Sequence, residues 1–479
     1  MKPYAWTAVA AACLMIPVSS SAAVSQARRI ARIEAHLAPP VTVRGRPVVI
    51  HTLAEEMAAH HTPSVSIAVV DHGSFIWARA YGLADVATGR KATTRTLFQA
   101  GSISKPVAAS GAMTLIQQGR LALDVPANSQ LTSWQIPENA FTKDHPVTLR
   151  HLLTHTAGTT VHGFPGYTAG APVPSVVQVL EGKPPANTAP VVVERQPGTL
   201  WNYSGGGITI AQLMMTDATH QPFPDLMRRR VLTPAGMADS TYEQPLPAGR
   251  ADAAATGYLR TGAAVEGRFH TYPEMAAAGL WTTPTDLARW AIALEQAYHG
   301  ASRRLMSRAS AKAMLTPGLG HWGLGVEVGG SGEDFHFTHG GDDAGFKANL
   351  MAWPSGSRVV VAMANGDDGA VVVSELMQAV AREYGWRGLE PRVIESMTLS
   401  EAQIKEIAGG YGHGLVVISA DGPALGLTYG GVRVELIPQA ADQFIADPAG
   451  ANIPVALVRG PDGKVKSLSA QGLTIPRDP

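Results

Sequence analysis

Ser102 and Lys105 are the residues of this sequence whose types and spacing best suit covalent chemistry. They stand three positions apart at the expected start of an apolar helix, within the stretch 98–119. Residues at this spacing share a helix face, so an amine can lie beside a hydroxyl that has no intrinsic nucleophilicity at neutral pH. The S-x-x-K pattern therefore predicts a serine that becomes acylated, although a chain of this length contains about one such pattern by chance.

Two further patterns follow at long distances along the chain, since Tyr203 begins a Tyr-Ser-Gly sequence and His339 begins a His-Gly-Gly sequence. With the S-x-x-K pattern they resemble, in type, order and separation, the three motifs of the serine β-lactamase and penicillin-binding protein superfamily. The nearest branch holds class C β-lactamases, D-Ala-D-Ala carboxypeptidases, D-aminopeptidases and related esterases. The stretches 150–158 and 279–287 are similar to this branch as well, so the resemblance covers roughly residues 50 to 385.

The resemblance implies a role for each matching side chain. Ser102 would be the nucleophile, and Lys105 would help to accept its proton. Tyr203 would be the partner base that trades this proton with the leaving group, which at neutral pH requires a nearby cation. His339 stands where many relatives have Lys, although His is known here among the carboxypeptidase and D-aminopeptidase relatives. A neutral histidine lacks the charge of lysine but could still donate a hydrogen bond to a substrate carboxylate or orient Tyr203.

Residues beside these side chains would bind the substrate. By resemblance, the oxyanion hole uses the backbone N–H groups of Ser102 and Asp342. Gly340 and Gly341 leave room for a substrate backbone along the strand edge. Gly205 departs from the family pattern, in which Asn at this place binds the substrate amide. This departure weakens the expectation of efficient β-lactamase or carboxypeptidase activity and leaves the acylation chemistry intact.

Other patterns are poorer candidates for a site. Ser104 is adjacent to Lys105, and adjacent residues on a helix do not face each other. No H-E-x-x-H or paired-Cys motif accompanies the histidines, so we predict no metal site. We interpret the remaining candidates as structural or peripheral, and these are His60, His61, His155, the carboxylate pair Asp342-Asp343 and the glycine run Gly205-Gly206-Gly207.

The elements that must position these residues follow from hydrophobic period and turn residues. Residues 64–70 and 74–81 predict a hairpin, and Pro106 places a helix start close to Ser102 because proline is tolerated in the first turn. The Pro- and Gly-rich segment 163–197 fits a functional rim or an ordinary surface insertion equally well. Further helices are predicted at 147–153, 208–218, 223–235 and 371–384, and one more helix is predicted to begin with Thr285 as its cap. Further strands are predicted at 323–328, 335–338, 348–353 and 358–365, and His339-Gly340-Gly341 is predicted to end the second of these strands.

Composition and pattern together predict a globular α+β protein. Hydrophobic residues make up 45% and charged residues 16%, which argues against disorder. Lys plus Arg equals Asp plus Glu at 38 each, so the charge balance gives no indication of nucleic-acid or anionic-membrane binding. Strands near both ends of residues 24–395 predict an antiparallel sheet with a helical insertion, the β-lactamase/transpeptidase-like fold, and residues 396–479 predict a small β-domain.

Residues 1–23 have the three parts of a secretory signal peptide. Lys2 precedes an apolar run at 6–18, which small residues follow up to Ala23. The apolar run is too short to span a bilayer. The only cysteine, Cys13, lies inside this run and lacks the context of a lipoprotein signal, so the mature chain has no disulfide. The sequence thus predicts a periplasmic or secreted protein.

The sequence leads to two functional hypotheses from different classes. The first is an exported serine hydrolase that forms an acyl-enzyme on Ser102 and cleaves small or unusual peptides, such as D-amino-acid, cell-wall or linearised cyclic peptides. Its close variants are a carboxylesterase or a weak β-lactamase, since the same residues serve esters. The second is a catalytically silent peptidoglycan-binding or regulatory protein on the same fold. Neither hypothesis implies a cofactor, and the sequence leaves the oligomeric state open.

Overall fold

The fold is built around one antiparallel sheet that combines strands from both ends of the hydrolase-like region. It is described by a computed structural model over residues 19–446, 453–470 and 473–479. The strands are β1 Val41–Val43, β2 Ser64–Asp71, β3 Ser74–Asp85, β4 Arg90–Lys91, β5 Phe98–Gln99, β6 Trp281–Thr282, β7 Glu327–Gly329, β8 His336–Asp343, β9 Phe346–Trp353, β10 Arg358–Ala364, β11 Arg392–Ile394, β12 Gly409–Tyr411, β13 Val416–Asp421, β14 Ala424–Tyr429, β15 Val432–Ala440, β16 Gln443–Ala446, β17 Ile453–Arg459, β18 Val465–Ala470 and β19 Leu473–Pro476.

Helices cover both faces of this sheet and fill the long excursion between β5 and β7. They are α1 Ser19–Ala35, α2 Leu53–Ala59, α3 Ser104–Gln117, α4 Leu149–Leu153, α5 Val176–Glu181, α6 Gly205–Thr219, α7 Phe223–Met227, α8 Thr233–Ala235, α9 Ala248–Ala251, α10 Met275–Ala278, α11 Pro284–His299, α12 Arg308–Met314, α13 Gly369–Tyr384 and α14 Glu401–Ile407. A π-helical turn at Arg228–Leu232 joins α7 to α8. No helix within the described residues is both long and apolar enough to cross a membrane.

The sheet runs in the order β4-β3-β2-β10-β9-β8-β7. Side chains alternate between its faces, so consecutive residues of one strand enter different cores. Val359 and Val361 pack with the helical insertion, whereas Val360 packs with α1 and α13 on the other face. The predicted β2–β3 hairpin and the antiparallel sheet assembled from distant parts of the chain are confirmed.

Three predicted boundaries are wrong, two of them for local reasons that the structure shows. Thr283, and not Thr285, caps α11, because Pro284 takes the first helical position and the Thr283 hydroxyl accepts a hydrogen bond from the N–H of Asp286 at 3.1 Å. His339 and the two glycines after it do not end a strand, since β8 continues to Asp343 and pairs with β9 along its length. The strand predicted at 323–328 is short and lies at Glu327–Gly329.

The C-terminal region forms a separate sheet of eight antiparallel strands, β12 to β19, in chain order. Its ends almost meet, because Tyr411 forms a bridge with Arg477 and the N–H of Gly412 donates to Pro476 O at 2.7 Å. The sheet is therefore nearly barrel-shaped around its own core. A small apolar cluster of Val41, Ile394, Ile437 and Ile445 links this barrel to β1 and β11.

Candidate active site

Ser102 lies in a turn of 3-10 helix, Gly101–Ile103, that leads into α3 and presses against β8. Gly101 has a φ of +50°, and a β-carbon built on it would lie 2.4 Å from the backbone nitrogen of Asp342. Its N–H donates to the carboxylate of Asp343 at 3.2 Å. A side chain before the nucleophile would push α3 away from β8, so this glycine sets the distance between Ser102 and Asp342.

Lys105 is buried beneath Ser102, with 2% of its surface exposed. Its Nζ donates to Ser102 Oγ at 2.7 Å and to the carbonyl oxygen of Ala277 at 2.9 Å. Ala277 belongs to the short helix α10, which therefore serves as the second support of the amine. The predicted pairing of Ser102 with Lys105 is present in the structure, and a buried amine beside a hydroxyl is the arrangement that activates a serine.

Tyr203 stands just before α6, which Ser204 caps by accepting the N–H of Gly207 at 3.0 Å. The amine of Lys105 lies 4.9 Å from the centre of the Tyr203 ring. The ring is surrounded by aromatic side chains, with His155 at 4.3 Å and Trp322 at 5.8 Å between ring centres. The structure thus brings Tyr203 to Lys105 and Ser102 from about 100 residues away in sequence, as the motif order implies.

His155 is a part of this site that the sequence interpretation missed. It is 1% exposed, and its Nδ1 accepts the N–H of Ser204 at 3.2 Å, so it fixes the backbone next to Tyr203. Burial, followed by the charge of Lys105, holds the pKa of His155 well below its usual range. The only signals in the sequence were its position in the 150–158 stretch and its following Thr-Ala-Gly.

His339 lies in β8 with 5% of its surface exposed, between Tyr203 and Trp322. Its Nδ1 lies 2.6 Å from the carbonyl oxygen of Gly340. Burial, and then the neighbouring Lys105, lowers the pKa of His339 to about 3. The side chain is therefore neutral at physiological pH, as the loss of lysine from this motif predicts.

The glycines of the second and third motifs serve different purposes. A β-carbon on Gly341 would lie 2.0 Å from the carbonyl oxygen of Ala100, whereas one on Gly340 would meet nothing closer than 3.9 Å. Only Gly340 leaves open space for a substrate. The expectation that both glycines make room for substrate is wrong for Gly341, because the close packing of β8 against Ala100 requires a glycine at this position. At Gly205 the ring of Phe164 would lie 2.8 Å from a β-carbon.

The Phe164 contact places the Pro-rich segment 163–197 at the site. The backbone N–H of Gly205 also donates to His162 O at 3.0 Å, and Val191 packs on Gly206. The start of this segment therefore covers the N-terminal end of α6, next to Tyr203. This contact favours the interpretation of the segment as a functional rim over that of an ordinary surface insertion.

The two aspartates after the third motif lie in different environments. The side chain of Asp342 is 76% exposed and pairs with Lys347, which also contacts Asp367 at 3.4 Å. Asp343 is buried, and burial followed by the Asp342 charge raises its pKa well above the ordinary value. Neighbouring residues on a strand point to opposite faces, so these carboxylates do not form a catalytic pair.

A cleft of about 420 Å³ opens over Ser102. It is lined by Ser102, Tyr203, Gly340, Gly341, Asp342, Lys347, Ala348, Asn349, Ala370, Val373 and Ser374. Its lining thus combines the predicted nucleophile, the predicted second base and the predicted oxyanion-hole residue Asp342. Across the described ranges, no three His, Cys, Asp or Glu side chains converge as a metal site requires. His60 instead pairs with Glu56 at 3.2 Å.

Comparison with known proteins agrees with the resemblance found in the sequence. The sequence model of a family described as Beta-lactamase matches residues 49–385. Esterase EstB of Burkholderia gladioli is 31% identical over 188 residues, which cover 37% of this chain and 47% of EstB, so the match spans about half of that relative.

Solved structures show the same architecture. The crystal structure of SurE with D-Leu covers 89% of this chain and 97% of SurE, with a TM-score of 0.58 and 24% identity. An octameric penicillin-binding protein homologue from Pyrococcus abyssi covers 88% of this chain and 98% of its own, with a TM-score of 0.58 and 20% identity. At these identities the two structures establish the fold.

Proposed function

Because the chain belongs to the beta-lactamase family, we propose that it is a serine hydrolase that forms an acyl-enzyme on Ser102. The observation that carries the proposal is the 2.7 Å hydrogen bond from the buried amine of Lys105 to the Ser102 hydroxyl. Ser102 lines a cleft of about 420 Å³, and Lys105 lies buried behind it. A silent binding protein would have no use for a lysine buried at this place, because burying an amine costs free energy.

The reaction follows from the positions of the groups. Ser102 Oγ attacks the substrate carbonyl while its proton passes toward Lys105, and the backbone N–H groups of Ser102 and Asp342 bind the developing oxyanion. Tyr203 then delivers its proton to the leaving amine or alcohol as the bond to the carbonyl breaks, and it takes up in exchange the proton that Lys105 received from Ser102. Water attacks the acyl-enzyme through the same groups and releases the acid.

We propose small or unusual peptides as substrates, including D-amino-acid, cell-wall or linearised cyclic peptides. The support is the strand edge at Gly340, where β7 has ended and an extended peptide backbone has room beside β8. A carboxylesterase is the second candidate. It is favoured by Gly205, which offers no side-chain amide to a peptide, and by the similarity to EstB.

Intact-mass detection of an acyl-enzyme tests the proposed chemistry. A fluorophosphonate should add one phosphonyl group to the wild type, an activated ester should add one acyl group, and neither should modify Ser102→Ala. Ser374→Ala is a matched control, because its hydroxyl lines the same cleft and is not paired with Lys105. Labelling that persists in Ser102→Ala would refute the assignment of the nucleophile.

We also propose that residues 1–23 are a cleaved signal peptide, so that the protein is periplasmic or secreted. Residues 1–18 lie outside the described residues, and the cleavage expected near Ala22 or Ala23 falls close to the start of α1. The proposed bounds of the hydrolase unit and of the β-domain stay at 24–395 and 396–479. An N-terminal sequence of the exported protein that begins at Ala23 or Val24 would support this processing, and one that begins at residue 1 would contradict it.

A further inference from the structure

His339 offers neither a positive charge nor a hydrogen-bond donor to the cleft. A carbonyl oxygen only accepts hydrogen bonds, so the 2.6 Å contact with Gly340 O places the imidazole proton on Nδ1. The other nitrogen, Nε2, then carries a lone pair, and it is buried without a polar partner. The expectation that a neutral His339 donates to a substrate carboxylate is therefore not met by this tautomer.

The described lining of the cleft offers no unpaired positive charge to a substrate carboxylate. Among the described residues that line the cleft, Lys347 is the only cation. Its side chain is 11% exposed and already contacts Asp342 and Asp367, so these three groups sum to one negative charge. The Asp342 carboxylate is the exposed member of the three. Lys105 lies buried below the cleft, where its amine already donates hydrogen bonds to Ser102 Oγ and to the carbonyl oxygen of Ala277.

Gly205 offers no side-chain polar group to the substrate either. The position has no side chain, and the ring of Phe164 fills the space that one would occupy. A leaving-group carboxylate in this cleft would therefore meet the exposed carboxylate of Asp342 and no unpaired cation. Such like-charge contacts discriminate strongly between partners.

We propose that this cleft selects acyl donors whose leaving group carries no carboxylate next to the scissile bond, and that it rejects peptides cleaved at a free C-terminal residue. The inference rests on the proposed function of Ser102 and narrows its substrates to internal amides, amidated peptides or neutral esters. It separates this chain from an enzyme that removes the last residue of a peptide.

A matched pair of depsipeptides tests the selection. N-acetyl-D-alanyl-glycolate and N-acetyl-D-alanyl-glycolamide differ only in the leaving group, which ends in a carboxylate in the first ester and in a carboxamide in the second. Both are reactive esters, so the proposed peptidase and the proposed carboxylesterase should each hydrolyse them. After correction for their hydroxide hydrolysis rates, we expect kcat/KM to be about 30-fold higher for the glycolamide. A difference below about threefold would overturn the charge selection while leaving the acyl-enzyme chemistry in place.

Three variants identify the source of the discrimination. His339→Lys should reduce the ratio of the two kcat/KM values about tenfold, and Asp342→Asn should reduce it about threefold. Asp225→Asn removes an ion-paired surface carboxylate that does not line the cleft, and it should leave the ratio unchanged. If neither His339→Lys nor Asp342→Asn changes the ratio of the two kcat/KM values, the proposal is contradicted. Absence of both hydrolysis and acyl-enzyme with either ester would instead contradict the proposed function itself.

Discussion

At the scale of single residues, the third motif depends on one glycine more than on the other. Gly341→Ala would place a methyl group 2.0 Å from the backbone oxygen of Ala100. This clash can be relieved only if β8 moves away from the turn that carries Ser102. We expect this variant to lose about 3 kcal/mol of stability and about 100-fold in kcat, since small displacements of reacting groups have effects of this size.

Gly340→Ala is the matched control for that prediction, because it adds the same methyl group one residue away with nothing closer than 3.9 Å. Its melting temperature should equal that of the wild type. Thermal unfolding and ester hydrolysis of both variants check the prediction. Equal melting temperatures for the two variants would show that β8 and α3 are less tightly coupled than their contact implies.

The sequence predicted the side chains of the candidate site better than their supports. Ser102 and Lys105 are close in sequence, so a local pattern reveals their pairing. Asp343 supports the turn before the nucleophile across 242 positions, and His155 accepts the N–H of Ser204, the neighbour of Tyr203, across 49. Such contacts leave no local pattern, because they depend on how the sheet and the helical insertion come together.

At the scale of elements, the short helix α10 begins at a glutamate, Glu274, whose side chain is buried. Glu274 caps this helix, and its backbone carbonyl accepts the N–H groups of Ala277 and Ala278 at 2.9 Å, which aims Ala277 O at Lys105. Its carboxyl group is fully buried without a polar partner, and burial raises its pKa from 4.5 to about 7. Nothing in the sequence near this residue signals such an environment.

The raised pKa of Glu274 gives a pH-dependent stability. Between pH 4.5 and 7 the unfolded chain has released this proton while the folded protein keeps it, so the free energy of unfolding falls as pH rises through this range. Glu274→Gln removes the effect. Its gain in stability should be absent below pH 4.5 and reach about 3 kcal/mol above pH 7.

Glu375→Gln is the comparison for that prediction, because burial and then Glu56 raise the pKa of Glu375 to about 8. Its stability gain should therefore continue to grow up to pH 8, after that of Glu274→Gln has levelled off. Urea unfolding at several pH values distinguishes the two curves. A constant difference between wild type and Glu274→Gln across pH 4 to 8 would contradict the assignment.

Most elements follow from local pattern, and the misplaced boundaries show where pattern fails. The β2–β3 hairpin and the helix after Ser102 are confirmed, because turn residues and a first-turn proline mark them. The end of β8 was misplaced because glycines usually weaken strands, and here a neighbouring strand and the close approach of Ala100 keep them extended.

At the scale of the whole molecule, the barrel and the hydrolase unit have separate cores. No described residue of the barrel lines the cleft. Leu436→Ala, deep in the barrel, should therefore cost about 2–5 kcal/mol of barrel stability and leave kcat for a small ester unchanged at 25 °C.

Leu350→Ala is the matched variant in the other core, where Leu350 lies opposite His339 in the sheet. It should lower both stability and kcat. Calorimetry with initial rates checks the pair of predictions. A tenfold loss of kcat in Leu436→Ala, measured where the protein is still folded, would show that the barrel shapes the active site.

The strand order also determines when this protein can fold during its synthesis. β2 is an inner strand, the third of seven in the sheet, and β10 lies on the side opposite β3, where Val70 pairs with Val359, 289 positions later. The ribosome therefore releases the first hairpin long before the strand that covers it exists. Contacts this distant in sequence make folding slow and leave an apolar strand edge exposed meanwhile. The chain thus remains accessible to chaperones, or to a translocation channel that threads unfolded chains, until β10, which ends at Ala364, has been synthesised.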